Sequence, residues 1–107
     1  MRRSSSDYAT PASVNSAKHL AGLVKNARKA RGWSQASLAE RARISPATMN
    51  RLEKGSVSIS LGTWLAVMDR LGLLHKLDQL QDPASDAILK RTQTKHPVRH
   101  NPSDLDF

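Results

Sequence analysis

The dipeptide Ser45-Pro46 constrains this chain more than any other feature. A serine hydroxyl at a helix N-cap satisfies a backbone N–H of the first turn. A proline fits the first helical position, because the N–H it lacks would have no intrahelical partner there. A helix therefore starts at Pro46. Similar punctuation surrounds it: Ser34 and Ser60 offer two further N-caps, and Gly32, Gly55 and Gly72 stand where helices would stop. Such spacing allows short helices joined by tight turns.

Apolar periodicity fills the intervals. Ala17, Leu20, Ala21, Val24 and Ala27 recur at intervals of three and four, one stripe of a helix expected to begin near Val14 to Ser16 and to end at Gly32. Lys29 and Arg31 lie in its last turn, where cations favour the helix dipole. A second helix is expected over Gln35 to Ala42, with Leu38 and Ala39 inward, and a break at Arg43-Ile44. The third runs from Pro46 to about Lys54, with Met49 and Leu52 inward. Ser56 to Ile59 reads as a loop. A fourth helix, about Leu61 to Leu71, carries Trp64, Leu65, Val67, Met68 and Leu71. A fifth, from Leu73 or Leu74 to about Leu80, ends before Asp82-Pro83, and Ala84 to Arg91 has room for one or two more turns. No strand pattern or internal repeat emerges. The expectation is an all-α, five-helix domain over residues 14–81. It lies between a disordered Ser-rich basic arm (1–13) and a mostly flexible C-terminal tail (82–107).

Charge is unevenly placed. The net charge is +8, and between Ser16 and Gly55 nine Lys or Arg face only Glu40 and Glu53. From Ser56 to Arg91 bases and acids balance. A basic half beside a neutral half points to a polyanionic partner. The chain has no Cys, which excludes disulfides and thiolate metal sites and suits a reducing, cytoplasmic setting. Met1 to Ser6 carries Arg2 and Arg3 without an apolar run behind them, so no signal peptide is read, and no stretch is apolar enough to span a membrane. His96 and His100 lie in the tail with Pro97 between them and no acidic residue at a zinc-like spacing. No phosphate-binding glycine loop or Ser–His–Asp arrangement is present. No catalytic residue, metal or cofactor is expected, and the chain is not read as an enzyme.

Gln35–Ala42 followed by Pro46–Lys54 has helix-turn-helix geometry, with Leu38, Ala39, Ile44, Met49 and Leu52 fixing the crossing. In such a pair the second helix can enter the major groove while the first presents its N-terminus to a phosphate. The run Trp33-Ser34-Gln35-x-x-Leu38-Ala39-x-x-Ala42-Arg43-Ile44-Ser45-x-x-Thr48-Met49-x-Arg51-Leu52-Glu53-x-Gly55 resembles the Xre family of lambdoid-repressor-like DNA-binding domains. The likeness extends over about residues 17–72. It departs at Arg43, where the family usually has glycine and where a non-glycine residue at positive φ carries some strain.

That resemblance implies roles. Pro46, Ala47, Thr48, Asn50 and Arg51 match base-facing positions, and Ser34, Gln35, Ser45 and Lys54 match phosphate-contacting ones. Arg28 and Glu53 look like a structural ion pair. Chemistry weights these unevenly: Arg51 can grip guanine and Asn50 adenine, whereas Pro46 and Ala47 offer only apolar contact. Trp33 and Trp64 read as core or dimer-contact residues. Further on, Leu71-Gly72-Leu73-Leu74-x-x-Leu77-x-x-Leu80-x-Asp82-Pro83 is similar to HipB-type antitoxins. Those proteins dimerise, repress their own operon and bind a HipA-type kinase toxin. Leu73, Leu74, Leu77 and Leu80 would then be a homodimer interface, placing two recognition helices on a palindromic operator. The alternatives are a stand-alone phage- or chromosome-type repressor without a toxin, and an adaptor that keeps the fold but not DNA binding. In the tail, Leu105-Asp106-Phe107 is a candidate segment for ordering on a partner.

Overall fold

A computed structural model of the chain describes residues 9–95. They form six α-helices: α1 Pro11–Ala30, α2 Gln35–Ala42, α3 Pro46–Glu53, α4 Leu61–Arg70, α5 Leu74–Asp78 and α6 Pro83–Lys95. No strand occurs among the described residues. The class is all-α, with six helices in place of the five expected.

Four helices begin on one device. The hydroxyls of Thr10, Ser34, Ser45 and Ser60 accept hydrogen bonds from the amides of Ser13, Ser37, Thr48 and Thr63, at 3.0, 3.0, 3.1 and 3.2 Å. Each bond satisfies an amide that the helix itself cannot pair. Thr10 corrects the reading of the first helix. Thr10-Pro11 repeats the chemistry of Ser45-Pro46, so α1 starts at Pro11, inside the segment read as arm. The apolar stripe could not reveal this, because Pro11, Ala12 and Ser13 are exposed. Residues 1–8 of that arm lie outside the described residues.

Helix ends repeat a second device. After α1 the amide of Trp33 donates to the Arg28 carbonyl and that of Gly32 to Lys29. After α4 Leu73 donates to Met68 and Gly72 to Asp69. This paired closure requires a left-handed residue, here Gly32 (φ 71) and Gly72 (φ 73). The α2–α3 turn makes the same two bonds, Ile44 to Ala39 and Arg43 to Glu40, with Arg43 in the left-handed position at φ 58 and ψ 43. Arg43 is the only non-glycine residue at positive φ among those described.

The core is Val24 from α1, Leu38, Ala39 and Ala42 from α2, Met49 and Leu52 from α3, and Val67 and Leu71 from α4 and its end. Ala27, Trp33, Ile44, Ile59, Trp64 and Leu73 pack around it. Helix α2 packs against both α3 and α4, and α1 against α3. Arg31 adds a polar tie, donating to the Leu71 carbonyl at 2.6 Å and to the Ala27 carbonyl at 2.8 Å, so the end of α4 is held to the end of α1.

Beyond α4 burial thins out. The leucine stripe is divided: Leu73 packs on the core, Leu74 and Leu77 are half-buried, and Leu80 is 77% exposed. Helix α6 corrects the reading of the tail, which allowed only a turn or two over Ala84–Arg91. Asp82 opens it, accepting from the Ala84 amide at 3.1 Å and the Ser85 hydroxyl at 2.6 Å. The Ser85 hydrogen bond, followed by that from Ala84, holds the Asp82 carboxyl below the usual range. Every α6 side chain described is exposed, including Ile88 and Leu89. A helix whose described side chains are all exposed selects no apolar stripe, so the sequence pattern marks it weakly. Residues 96–107, with His96, His100 and the Leu105–Phe107 segment, lie outside the described residues.

Candidate nucleic-acid interface

Helix α3 buries Met49 and Leu52. Helical geometry turns Ala47, Asn50, Arg51 and Lys54 away from that side, Pro46 stands in the first turn, and all five are exposed. A short, capped helix with one face locked in the core thus presents two long cations and one amide outward. Thr48 is half-buried, and its hydroxyl accepts from Ser45 Oγ at 2.9 Å. Ser45 and Thr48 are therefore engaged with each other at the cap.

The helix starts differ in what they offer an anion. In α3, Pro46 has no N–H, and the Thr48 amide goes to Ser45 Oγ. In α2 the cap takes only the Ser37 amide, so the N–H groups of Gln35 and Ala36 point out of the helix start together with its dipole. Ser34 is exposed and Gln35 half-buried there.

One end of α3 is bolted to α1. Arg28 Nε donates to Glu53 Oε2 at 2.8 Å and Nη2 to Oε1 at 3.0 Å, a two-pronged pair. Arg28 Nη1 donates to the Trp33 carbonyl at 2.8 Å. The side chains are 10% and 3% exposed, so water screens the pair little. Just beyond, Gly55 (φ +83) lies against α1: a Cβ there would fall 2.9 Å from Lys18 Cγ and 3.0 Å from Lys18 Cα. The left-handed turn disfavours a side chain there, and the approach to Lys18 leaves no room for one.

Part of the basic excess has structural work. Arg28 serves Glu53, Arg31 bonds helix-end carbonyls, and Arg41 stacks on Trp33 with its guanidinium carbon 4.2 Å from a ring centroid. The charge count alone could not separate these from cations turned outward. It also missed the loop after α3. Arg51 Nη2 donates to Ser58 Oγ at 2.8 Å, and Ser58 Oγ is 2.8 Å from Ser56 Oγ. The clue lay in the alternation Ser56-Val57-Ser58-Ile59-Ser60, whose apolar members are half-buried while Ser58 and Ser60 are exposed.

The family model of the helix-turn-helix domain matches residues 19–80, more than half of the chain. The chain belongs to the helix-turn-helix domain family. No match to a curated protein is found. As a helix-turn-helix domain it is a DNA-binding module, and its family is typically non-enzymatic. The matched span runs from near the middle of α1 to the residues after α5, so it contains α2, α3 and the joints that fix them. Among the described residues of this helix-turn-helix domain, no group of three His, Asp or Glu is placed to hold a metal, and no helix is long and apolar enough to cross a membrane.

Proposed function

We propose that the chain is a sequence-specific transcriptional repressor that binds a palindromic operator as a homodimer in the cytoplasm, at the nucleoid. The observation that carries this reading is the exposed face of α3, where Asn50, Arg51 and Lys54 project from a helix fixed by its opposite side. In the major groove Arg51 takes the guanine O6/N7 edge and Asn50 an adenine, while Pro46 and Ala47 meet thymine methyls and Thr48 assists from the edge. Lys54 pairs with a phosphate. Ser34, Gln35 and the amides at the start of α2 donate to phosphate oxygens, and so does Ser45 at the start of α3 once its hydroxyl proton leaves Thr48. The second copy covers Leu80 with Leu74 and Leu77; Leu73 contributes from the core side. The exposure of Leu80 supports this.

The finer reading is the autoregulatory antitoxin of a HipBA-type pair, which binds and neutralises a kinase toxin. It is supported by the resemblance of residues 71–83 to that class. A gel shift on the DNA upstream of the protein's own gene, with excess competitor DNA, tests the reading for wild type and Arg51→Ala. The expected result is a competitor-resistant complex that Arg51→Ala weakens by about 1–3 kcal/mol while relaxing one base position. A shift that competitor removes equally for both proteins would overturn sequence-specific repression.

A further inference from the structure

We infer that Ser58 is a specificity-determining positioning residue, its hydroxyl holding the Arg51 guanidinium in the direction from which it reads a base. The inference rests on the base-reading role of Arg51 proposed above and adds a residue outside the helix to it. Arg51 stands on the exposed face of α3, where a long side chain would otherwise sample many rotamers. Its Nη2 is instead 2.8 Å from Ser58 Oγ.

That hydroxyl is itself placed. Ser58 Oγ lies 2.8 Å from Ser56 Oγ, and the Ser58 amide donates to Ser56 Oγ at 3.3 Å. The Ser56 amide donates to the Arg51 carbonyl at 3.2 Å, so the loop is pinned to the backbone of the residue whose side chain it orients. On the other side of Ser58, Ile59 packs against the core. The chain is thus fixed both before and after the hydroxyl.

The contact is compatible with reading a base. A guanidinium carries five N–H donors in one plane, and a guanine edge takes two of them. One N–H on Ser58 leaves the fork free and restricts where it points. Ordering the side chain before DNA arrives removes part of the cost of immobilising it in the complex.

The test selects a preferred duplex from a random-sequence pool with the wild-type protein. It then measures Kd at fixed salt for that duplex, its single-base variants and an unrelated duplex. The proteins are wild type, Ser58→Ala, Ser58→Thr, Arg51→Ala and the Arg51→Ala/Ser58→Ala double variant. Ser58 is exposed, so these variants keep the core intact, and far-UV circular dichroism checks it. Ser58→Ala is expected to weaken the preferred duplex by about three- to tenfold. It should leave the unrelated duplex unchanged and flatten preference at the same base position as Arg51→Ala. In the Arg51→Ala background it should add nothing, and Ser58→Thr should restore binding. Equal weakening of all duplexes, or an additive loss in the double variant, would show that Ser58 acts by itself and overturn the inference. No effect of Ser58→Ala while Arg51→Ala flattens a position overturns the Ser58 role alone. A pool with no enriched sequence, or an Arg51→Ala variant that flattens nothing, overturns the base-reading role and this inference with it.

Discussion

The two ends of α3 are built on opposite terms. At its N-terminal end the chain turns through Arg43, an exposed residue in a left-handed conformation, and enters the helix over the exposed pair Ser45-Pro46. At its C-terminal end the same paired closure turns through Gly55, pressed on Lys18, beside the nearly buried Arg28–Glu53 pair. Both turns demand the same backbone conformation, and only one of them lacks space. One end of α3 is therefore clamped to α1 while the other stands clear, which suits a helix that must be held rigidly and still reach a partner.

Breaking the clamp should give the largest effect. Glu53→Ala leaves the Arg28 guanidinium nearly buried without its carboxylate and is expected to cost about 3–5 kcal/mol in chemical denaturation. Replacing both partners with apolar residues of similar size should cost much less, because no uncompensated charge remains. A loss below about 1 kcal/mol for Glu53→Ala would mean the joint does not depend on the pair.

The glycines separate conformation from space. Gly55→Ala places a Cβ in a left-handed residue and against Lys18, and should destabilise by about 2–4 kcal/mol. Gly72→Ala has nearly the same φ with nothing within 4 Å, and should cost only about 1 kcal/mol. The gap between the two measures the crowding. Equal losses would show that α1 yields at Lys18 and that the close approach carries no energy.

What the sequence made legible follows the same division. Local devices could be read: the Ser34, Ser45 and Ser60 caps, the glycine stops, and the limits of α2 to the residue. Their physics is contained in four or five neighbouring residues. The start of α1 was missed although Thr10-Pro11 repeats a signal read at Ser45-Pro46, because it stands ahead of any buried position. Helix α6 was understated because burial leaves a pattern and exposure leaves none. The exposed face of α3 could be placed from periodicity and resemblance together. Contacts between distant parts of the chain had no local trace, as with Arg31 on the Leu71 carbonyl and Gly55 on Lys18.

The smallest expected effect probes the open end of α3. Arg43→Gly removes a left-handed non-glycine residue, which costs roughly 1–2 kcal/mol. It adds the unfolded-state freedom of glycine, which offsets about 0.5–1 kcal/mol of that. The side chain is exposed, so no packing is lost, and the net gain should be about 0.5–1 kcal/mol. Thermal denaturation would read it as a rise of about 2–8 °C in Tm. A fall in Tm would mean the arginine makes a contact that outweighs its strain. The same variant then tests why an arginine stands in the turn leading into α3. If log Kd for DNA loses about one unit of slope against log salt, Arg43 neutralises a phosphate, and the strained turn is the cost of placing a cation there. If the slope is unchanged, the turn tolerates arginine only because, unlike Gly55, it has room for it.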